Sequence, residues 1–381
     1  LVITAATESG LTEAQRKFPD LIVHPWPCDL TWAIHNAFDV FQPWLVVLAE
    51  SELWPNFLQI ARRRRIPVCV VNGRLSPRTQ ARLQRWPHIA QHLLLDPVTH
   101  FAVQTPTYAQ YLRSLGVPPF KITITGSLKY EGAIQHDKAA VFRLGHWLGL
   151  SNTRYATCPA WRPPATADEP ILWLAGSTHA PEEEIVLQVL IRLRHRHPNL
   201  HLILVPRHPD RFDTVTRLVA TTSLSWIRRS QHPQPLSSLP AVIVWDTVGE
   251  LHAAWGLADI GFVGGSFDGR RGGQNMIEPA AQGVPCLFGP HVWNFREPAQ
   301  QLVEAGGAIC LQHPDELEAE LERLLLDPIR RQQMGLAAYQ FVLTQQGAVQ
   351  RTVEVLESLV RYPPATSAQR QSYVPPTIAA A

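Results

Sequence analysis

Short runs of β-branched and apolar residues alternate with helical patterns along most of this chain, and that alternation is the strongest limit on its fold. In the first half the runs are Leu1–Ala5, Leu21–His24, Leu45–Ala49, Val68–Val71, His100–Val103 and Ile122–Thr125, with helical segments such as Phe57–Arg65 and Thr107–Leu115 between them. In the second half they are Ile171–Ala175, Leu200–Val205, Ala241–Trp245, Asp259–Val263, Cys286–Phe288 and Ala308–Leu311. Strand, helix, strand at this spacing predicts an α/β protein with parallel sheets covered by helices on both faces. Ligands of such folds bind beyond the carboxyl ends of the strands, so the loops after the runs are where chemistry is expected.

The 381 residues suffice for two cores. Proline density and lost periodicity across Leu150 to Pro170 mark the connection between them. The expected division is a first domain over 1–149, a linker over 150–170 and a second domain over 171–345. A helix over 346–362 could cross back to the first domain, and a Pro-, Ala-, Ser- and Gln-rich tail over 363–381 is expected to be disordered. A formal charge of +2 argues against a strongly basic nucleic-acid-binding protein. Cys28, Cys69, Cys158, Cys286 and Cys310 are scattered, with no C-x-x-C pair, which favours reduced thiols over a disulfide framework or a zinc site. No run is long enough to span a bilayer. The chain opens on Leu1-Val2-Ile3-Thr4 with no methionine, which reads as a strand whose preceding sequence is lost.

The richest stretch runs from Val263-Gly264-Gly265-Ser266 to Gly272-Gly273-Gln274-Asn275-Met276-Ile277-Glu278-Pro279. A buried strand, a glycine loop and a short helix over Asn275–Gln282 are expected here. Glycine lets backbone approach a ligand, and N–H groups at a helix start attract anions, so the stretch reads as a nucleotide or nucleotide-sugar pocket; a loop that merely turns a corner is the alternative. Glu278, one turn into the helix, can accept hydrogen bonds from sugar hydroxyls.

Other strand ends add to it. Glu50-Ser51-Glu52-Leu53-Trp54-Pro55 carries two carboxylates and a tryptophan, either functional or compensating a helix dipole. Asn72-Gly73-Arg74-Leu75-Ser76-Pro77-Arg78 offers guanidinium forks for phosphate or carboxylate, or a solvated helix start. Gly126-Ser127-Leu128-Lys129 presents one lysine. The hydroxyls of Ser177 and Thr178, in Gly176-Ser177-Thr178-His179, could hold a phosphate or cap a turn. Pro206-Arg207-His208-Pro209 fixes two cationic side chains between prolines, good anion-binding material. Asp246-Thr247-Val248-Gly249-Glu250-Leu251 is another glycine turn into a helix. Arg62–Arg65 either compensates a helix C-terminus or meets an anionic membrane surface.

Taken in order, Glu52-Leu53-Trp54-Pro55-Asn56, Arg74-Leu75-Ser76, Gly126-Ser127-Leu128-Lys129, Ser177-Thr178-His179, Pro206-Arg207-His208-Pro209, Gly249-Glu250-Leu251 and Gly272 to Pro279 resemble the 3-deoxy-D-manno-octulosonic acid (Kdo) transferases. The resemblance runs from Leu1 to about Val360. It implies a GT-B architecture, two Rossmann-like domains facing across a cleft, with no catalytic metal and no cofactor. It implies CMP-Kdo as donor, held by the second domain, and inverting transfer to a lipid A precursor in lipopolysaccharide biosynthesis, at the cytoplasmic face of the inner membrane.

Carried over by position, Ser177, Thr178, Arg207, His208, Gly249, Glu250, Gly273, Gln274, Asn275 and Glu278 would bind the donor. Glu52 and Arg74 would line the acceptor side and Lys129 the cleft, while the family's general base would lie upstream of Leu1. The family commonly has His at Gln274 and Pro at Met276, and Asp268–Arg271 enlarges the loop. Two alternatives remain at this point: another GT-B sugar-nucleotide enzyme such as a 2-epimerase, and a non-catalytic nucleotide-sugar or lipid A binding module.

Overall fold

The computed structural model of the protein describes residues 1–134, 137–150, 159–162 and 169–361. Cys158, most of the proline-rich connection and the 363–381 tail therefore lie outside the described residues. The chain divides into two compact units, one built from Leu1–Leu128 and the segment from Gly347 onward, the other from Lys129–Gln346.

In the second unit the strands β7 (Ile171–Thr178), β8 (Leu200–Pro206), β9 (Trp226–Arg228), β10 (Val242–Val244), β11 (Ile260–Val263), β12 (Cys286–Phe288) and β13 (Ala308–Cys310) form one sheet in the order β13-β12-β11-β7-β8-β10-β9. Every pairing is parallel; Trp173 lies opposite both Leu202 and Ile260. Parallel strands are covered on both faces and so read as continuous apolar runs, as these do. Alternate side chains divide between two cores. Leu172, Leu174, Ile203 and Trp245 pack on one face, and Ile171, Trp173, Leu202 and Val244 on the other. The sequence pattern missed β9, whose three residues are too few to carry an alternation.

In the first unit β1 (Val2–Ala5) pairs only with β2 (Ile22–Pro25), while β3 (Val46–Ala49), β4 (Val68–Gly73), β5 (His100–Val103) and β6 (Ile122–Ile124) form a separate four-stranded parallel sheet. Its core gathers Ile34, Phe57, Leu58, Val68, Val70 and Phe101. The helix Pro55–Arg63 starts on a proline, and the Asp29 carboxylate accepts from the backbone N–H groups of Asn56 (3.1 Å) and Phe57 (2.7 Å), satisfying its first turn. Arg62 and Arg63 occupy its last turn, where cations complement the dipole, and Arg64 pairs with Asp39 at 2.5 Å. The helix Ala348–Arg361 groups with this unit: Val355 packs on Cys69 and Val71, and the Arg351 Nε donates to the Thr125 carbonyl (2.9 Å).

The expected boundary after residue 149 is corrected. The helix Lys138–Trp147 packs into the second unit, where Leu144, Trp147 and Leu148 join the Trp245 core. Apolar burial, not proline content, sets the division, so 129–149 belongs with the second unit. Cys28, Cys69, Cys286 and Cys310 are free thiols. Among the described residues no helix is long and apolar enough to cross a membrane.

Candidate active site

The seven-stranded sheet reverses its direction of growth at β7: the chain steps to β8 on one side, then returns to lay β11 on the other. A crevice beyond the strand ends at such a switch point is where ligands bind in open α/β sheets. The loops after β11, β7, β8 and β10 leave four neighbouring strands there, and they carry most of the residues expected to bind the donor.

The glycine loop is organised by a carboxylate of the protein itself. Glu182, fully buried at the start of the helix Glu182–Arg194, accepts from the backbone N–H groups of His179 (3.0 Å), Gly265 (2.7 Å), Ser266 (2.8 Å) and Phe267 (3.1 Å). Burial pushes its pKa up, and the four N–H donors pull the other way. A Cβ on Gly264 would stand 2.6 Å from the Thr178 Cα and 2.7 Å from the Glu182 Oε2, so only glycine fits. The Gly273 N–H donates to the Gly265 carbonyl (2.8 Å) and the Gln274 N–H to the Gly264 carbonyl (3.1 Å).

The N–H groups of Gly265, Ser266, Phe267, Gly273 and Gln274 thus already have partners within the protein. The expectation for Thr178 is corrected. That residue lies fully buried in β7 with its hydroxyl enclosed, so that oxygen does not meet a phosphate; Ser177 beside it is half-buried with φ +54°.

Above the loop, side chains form a chain of contacts. An Arg271 guanidinium nitrogen lies 2.6 Å from the His179 Nδ1, the His179 Nε2 is 3.4 Å from the Gln274 Nε2, and the Arg207 Nε donates to the Gln274 Oε1 at 3.2 Å. His208 meets the His179 ring edge-on, with centroids 5.2 Å apart. Burial, then the Arg271 charge, holds the His179 pKa down at about 4, so the imidazole is neutral.

Its two ends are donor-only arginines, and its two middle members each bring one acceptor and one donor to it. Whichever way the imidazole proton and the Gln274 amide are arranged, at least one of the three contacts brings two donors together. The Asp268 carboxylate already accepts from the Arg271 Nε (3.1 Å), and one further acceptor at the Arg207 end, such as an anionic oxygen, would free the Gln274 oxygen for His179.

Glu278 completes this end. It lies in the short helix Ile277–Ala281, and Asn275 bridges to it: the Asn275 Nδ2 donates to the Glu278 Oε1 (3.0 Å) while its Oδ1 accepts from the Ile277 N–H (3.0 Å). Burial raises the Glu278 pKa, and His252, Asn275 and Arg207 counteract it. Gly273, at φ +79°, sits 3.1 Å in Cβ terms from the Val292 Cα, which holds the glycine turn against the 289–295 loop.

A second group follows β10. Glu250 accepts from the Trp245 Nε1 (3.0 Å), the Thr247 hydroxyl and Arg229 (3.3 Å), while the Arg229 guanidinium lies over the Trp147 ring at 4.2 Å. Asp246 is held by Arg228 and by the Ser230 N–H (2.8 Å), which keeps its carboxyl below the usual range against the effect of burial. Gly249, at φ +91°, has open space where a Cβ would stand, so its conformation rather than crowding calls for glycine. Lys129 belongs to this same unit; its Nζ reaches the Asn294 carbonyl (3.4 Å) and lies 5.2 Å from the Phe295 ring centroid.

In the first unit Glu52 and Arg74 both lie at carboxyl ends of the four-stranded sheet, after β3 and β4, but they do not contact each other directly. Glu52 accepts from the Trp54 Nε1 (3.1 Å), while Arg74 pairs with Glu50 at 2.9 Å and its carbonyl accepts from Ser51.

Sequence reasoning passed over Glu182, His179, Arg229, His252 and Arg271 as candidate site residues. Glu182 was legible only as one of three glutamates opening a helix, and nothing local told which of them turns inward. Arg229 follows the unrecognised β9, so no strand end pointed to it.

A family profile described as 3-deoxy-D-manno-octulosonic-acid transferase (kdotransferase) matches residues 1–132. The 3-deoxy-D-manno-octulosonic acid transferase of Haemophilus influenzae is 34% identical over 361 residues, covering 94% of this chain and 79% of that protein. The transferase of that name from Bordetella pertussis is 32% identical over 370 residues, covering 94% of this chain and 80% of its own length. Among solved structures, UDP-GlcNAc 2-epimerase from Neisseria meningitidis bound to UDP-GlcNAc superposes with a TM-score of 0.54 at 15% identity, covering 94% of this chain and 91% of that one. That likeness concerns the fold, and with the two α/β units it gives the GT-B class. The identity over nearly the whole sequence settles the kinship: the chain belongs to the 3-deoxy-D-manno-octulosonic acid transferase family, the Kdo glycosyltransferases.

Proposed function

We propose that this Kdo transferase takes the sugar from CMP-Kdo and passes it to a hydroxyl of a lipid A precursor, with inversion at the anomeric carbon and without a catalytic metal. The supporting observation is the donor excess of the Arg271–His179–Gln274–Arg207 chain at the switch point of the second unit. The phosphodiester and the sugar carboxylate of CMP-Kdo are anions, and either one provides the acceptor the chain lacks. Arg207 and His208 meet the phosphate or carboxylate, Asn275 and Glu278 accept and donate to ribose hydroxyls, Gly273 lets the backbone approach, and Gly249 with Glu250 adjoins the nucleotide.

The chemistry is a displacement. The acceptor hydroxyl attacks the anomeric carbon, the bond from that carbon to the phosphate oxygen breaks, and CMP departs with the electron pair. The acceptor's proton passes to a carboxylate base outside the donor cluster. Guanidinium groups fixed beside the leaving phosphate stabilise the charge that grows there. The first unit receives the lipid, with Glu52 and Arg74 at its strand ends. The basic run Arg62–Arg65 favours an anionic membrane surface, which fits work at the cytoplasmic face of the inner membrane. The 2-epimerase likeness at 15% identity concerns the fold and gives that alternative no separate support.

The test is incubation with radiolabelled CMP-Kdo and lipid A precursor. Label transferred to lipid supports the proposal. CMP binding with label released only as free Kdo, or none released, overturns the lipid acceptor.

A further inference from the structure

We infer that Glu182 is the positioning residue of the donor site: its carboxylate fills the glycine-loop nest that an anionic ligand would otherwise enter. Four N–H groups from two loops converge on its two oxygens, those of His179 after β7 and of Gly265, Ser266 and Phe267 after β11. Among the described residues no cationic side chain contacts either oxygen, so the anion is held by backbone dipoles alone, as a bound oxyanion is held in a nest.

The geometry has two consequences. First, the nest is closed to the substrate, because Glu182 is fully buried and a Cβ on Gly264 would already collide with its Oε2 at 2.7 Å. The substrate's anionic groups are therefore left to the side chains above the loop. Second, the same carboxylate fixes both middle members of the side-chain cluster. His179 is bound through its own N–H, and Gln274 through its N–H to the Gly264 carbonyl at 3.1 Å, one residue from the Gly265 N–H that Glu182 holds. Glu182 thus sets the spacing of His179 and Gln274, and through them that of Arg271 and Arg207, without touching the substrate.

Near-isosteric Glu182→Gln tests this, since its amide nitrogen turns a donor toward N–H donors. Glu182→Asp keeps two acceptor oxygens one methylene shorter. Hydrogen–deuterium exchange of the 264–267 peptide without ligand reads the loop, and CMP titration reads the site. For Glu182→Gln we expect at least tenfold faster exchange there and about tenfold weaker CMP binding at a temperature where the protein is fully folded, with Glu182→Asp restoring part of both.

Wild-type exchange in Glu182→Gln overturns the positioning role. So does faster exchange with unchanged CMP affinity, which would leave Glu182 a purely structural residue. Because the consequence for CMP rests on the donor-site reading, the wild type is titrated first. If the wild type does not bind CMP, that reading fails, while exchange still judges the hold of Glu182 on the loop.

Discussion

The two α/β units treat their strand ends differently. Beyond the seven-stranded sheet, two carboxylates are enclosed and saturated, Glu182 by four N–H groups and Asp246 by Arg228 and Ser230, while Glu250 accepts from Trp245, Thr247 and Arg229 and stays 32% exposed. Beyond the four-stranded sheet, the Arg74–Glu50 pair is left 48% and 35% exposed, and Glu52 is met by an indole N–H at an exposed site. The strands beneath differ in the same sense. β7 and β11 are buried almost throughout, whereas Val47 of β3 remains 45% exposed and β1 and β3 each end a separate sheet. One edge has its carboxylates fixed by partners within the protein; the other leaves its polar groups in water.

The sharpest way to break this contrast is through the cores. Phe262→Ala, in the fully buried centre of the second unit, should cost about 3–5 kcal/mol. Val47→Ala should cost less than about 1 kcal/mol, because much of that side chain already meets solvent. Denaturant titrations of the two variants compare them, and equal costs would erase the distinction.

Next come the carboxylates. Asp246→Ala takes the acceptor from the Ser230 N–H and hydroxyl, while Arg228 keeps Asp213 at 2.6 Å, and should cost about 1–3 kcal/mol. Glu50→Ala removes an exposed partner of Arg74 and should cost less than about 1 kcal/mol. Thermal melts at low and high salt sharpen the point, since only the exposed pair should respond to screening.

A smaller effect is expected from acid. The His179 pKa is depressed from the usual 6.5 to about 4, so between those values the unfolded chain binds a proton that the folded chain refuses. The stability that His179 lends is therefore present above about pH 6.5 and lost as pH falls toward 4. The gap in melting temperature between wild type and His179→Asn should narrow over that window. A gap independent of pH would show that the imidazole is not held neutral.

Much of the scaffold was legible because parallel strands must be apolar on both faces. Ile171–Ala175, Val68–Val71 and Ala258 to Val263 could hardly be anything else. Ordered motifs pointed to the family and singled out Arg207, Gln274 and Glu278, which the fold brings to the same strand edge. What stayed hidden depends on contacts distant in sequence. Glu182 and Gly265 are 83 residues apart, and only the fold shows that the glycines make room for a glutamate. The division at Lys129 was likewise invisible, because the tryptophan that ties Lys138–Trp147 to the second unit meets Trp245, far along the chain.

The central claim is that anionic substrate groups are gripped by side chains at the edge of the second unit. CMP titrated by calorimetry into wild type, Arg207→Ala and Arg74→Ala tests it most directly. The account predicts about tenfold or greater weakening for Arg207→Ala and wild-type affinity for Arg74→Ala. Equal affinity of wild type and Arg207→Ala, or weakening only in Arg74→Ala, would contradict it.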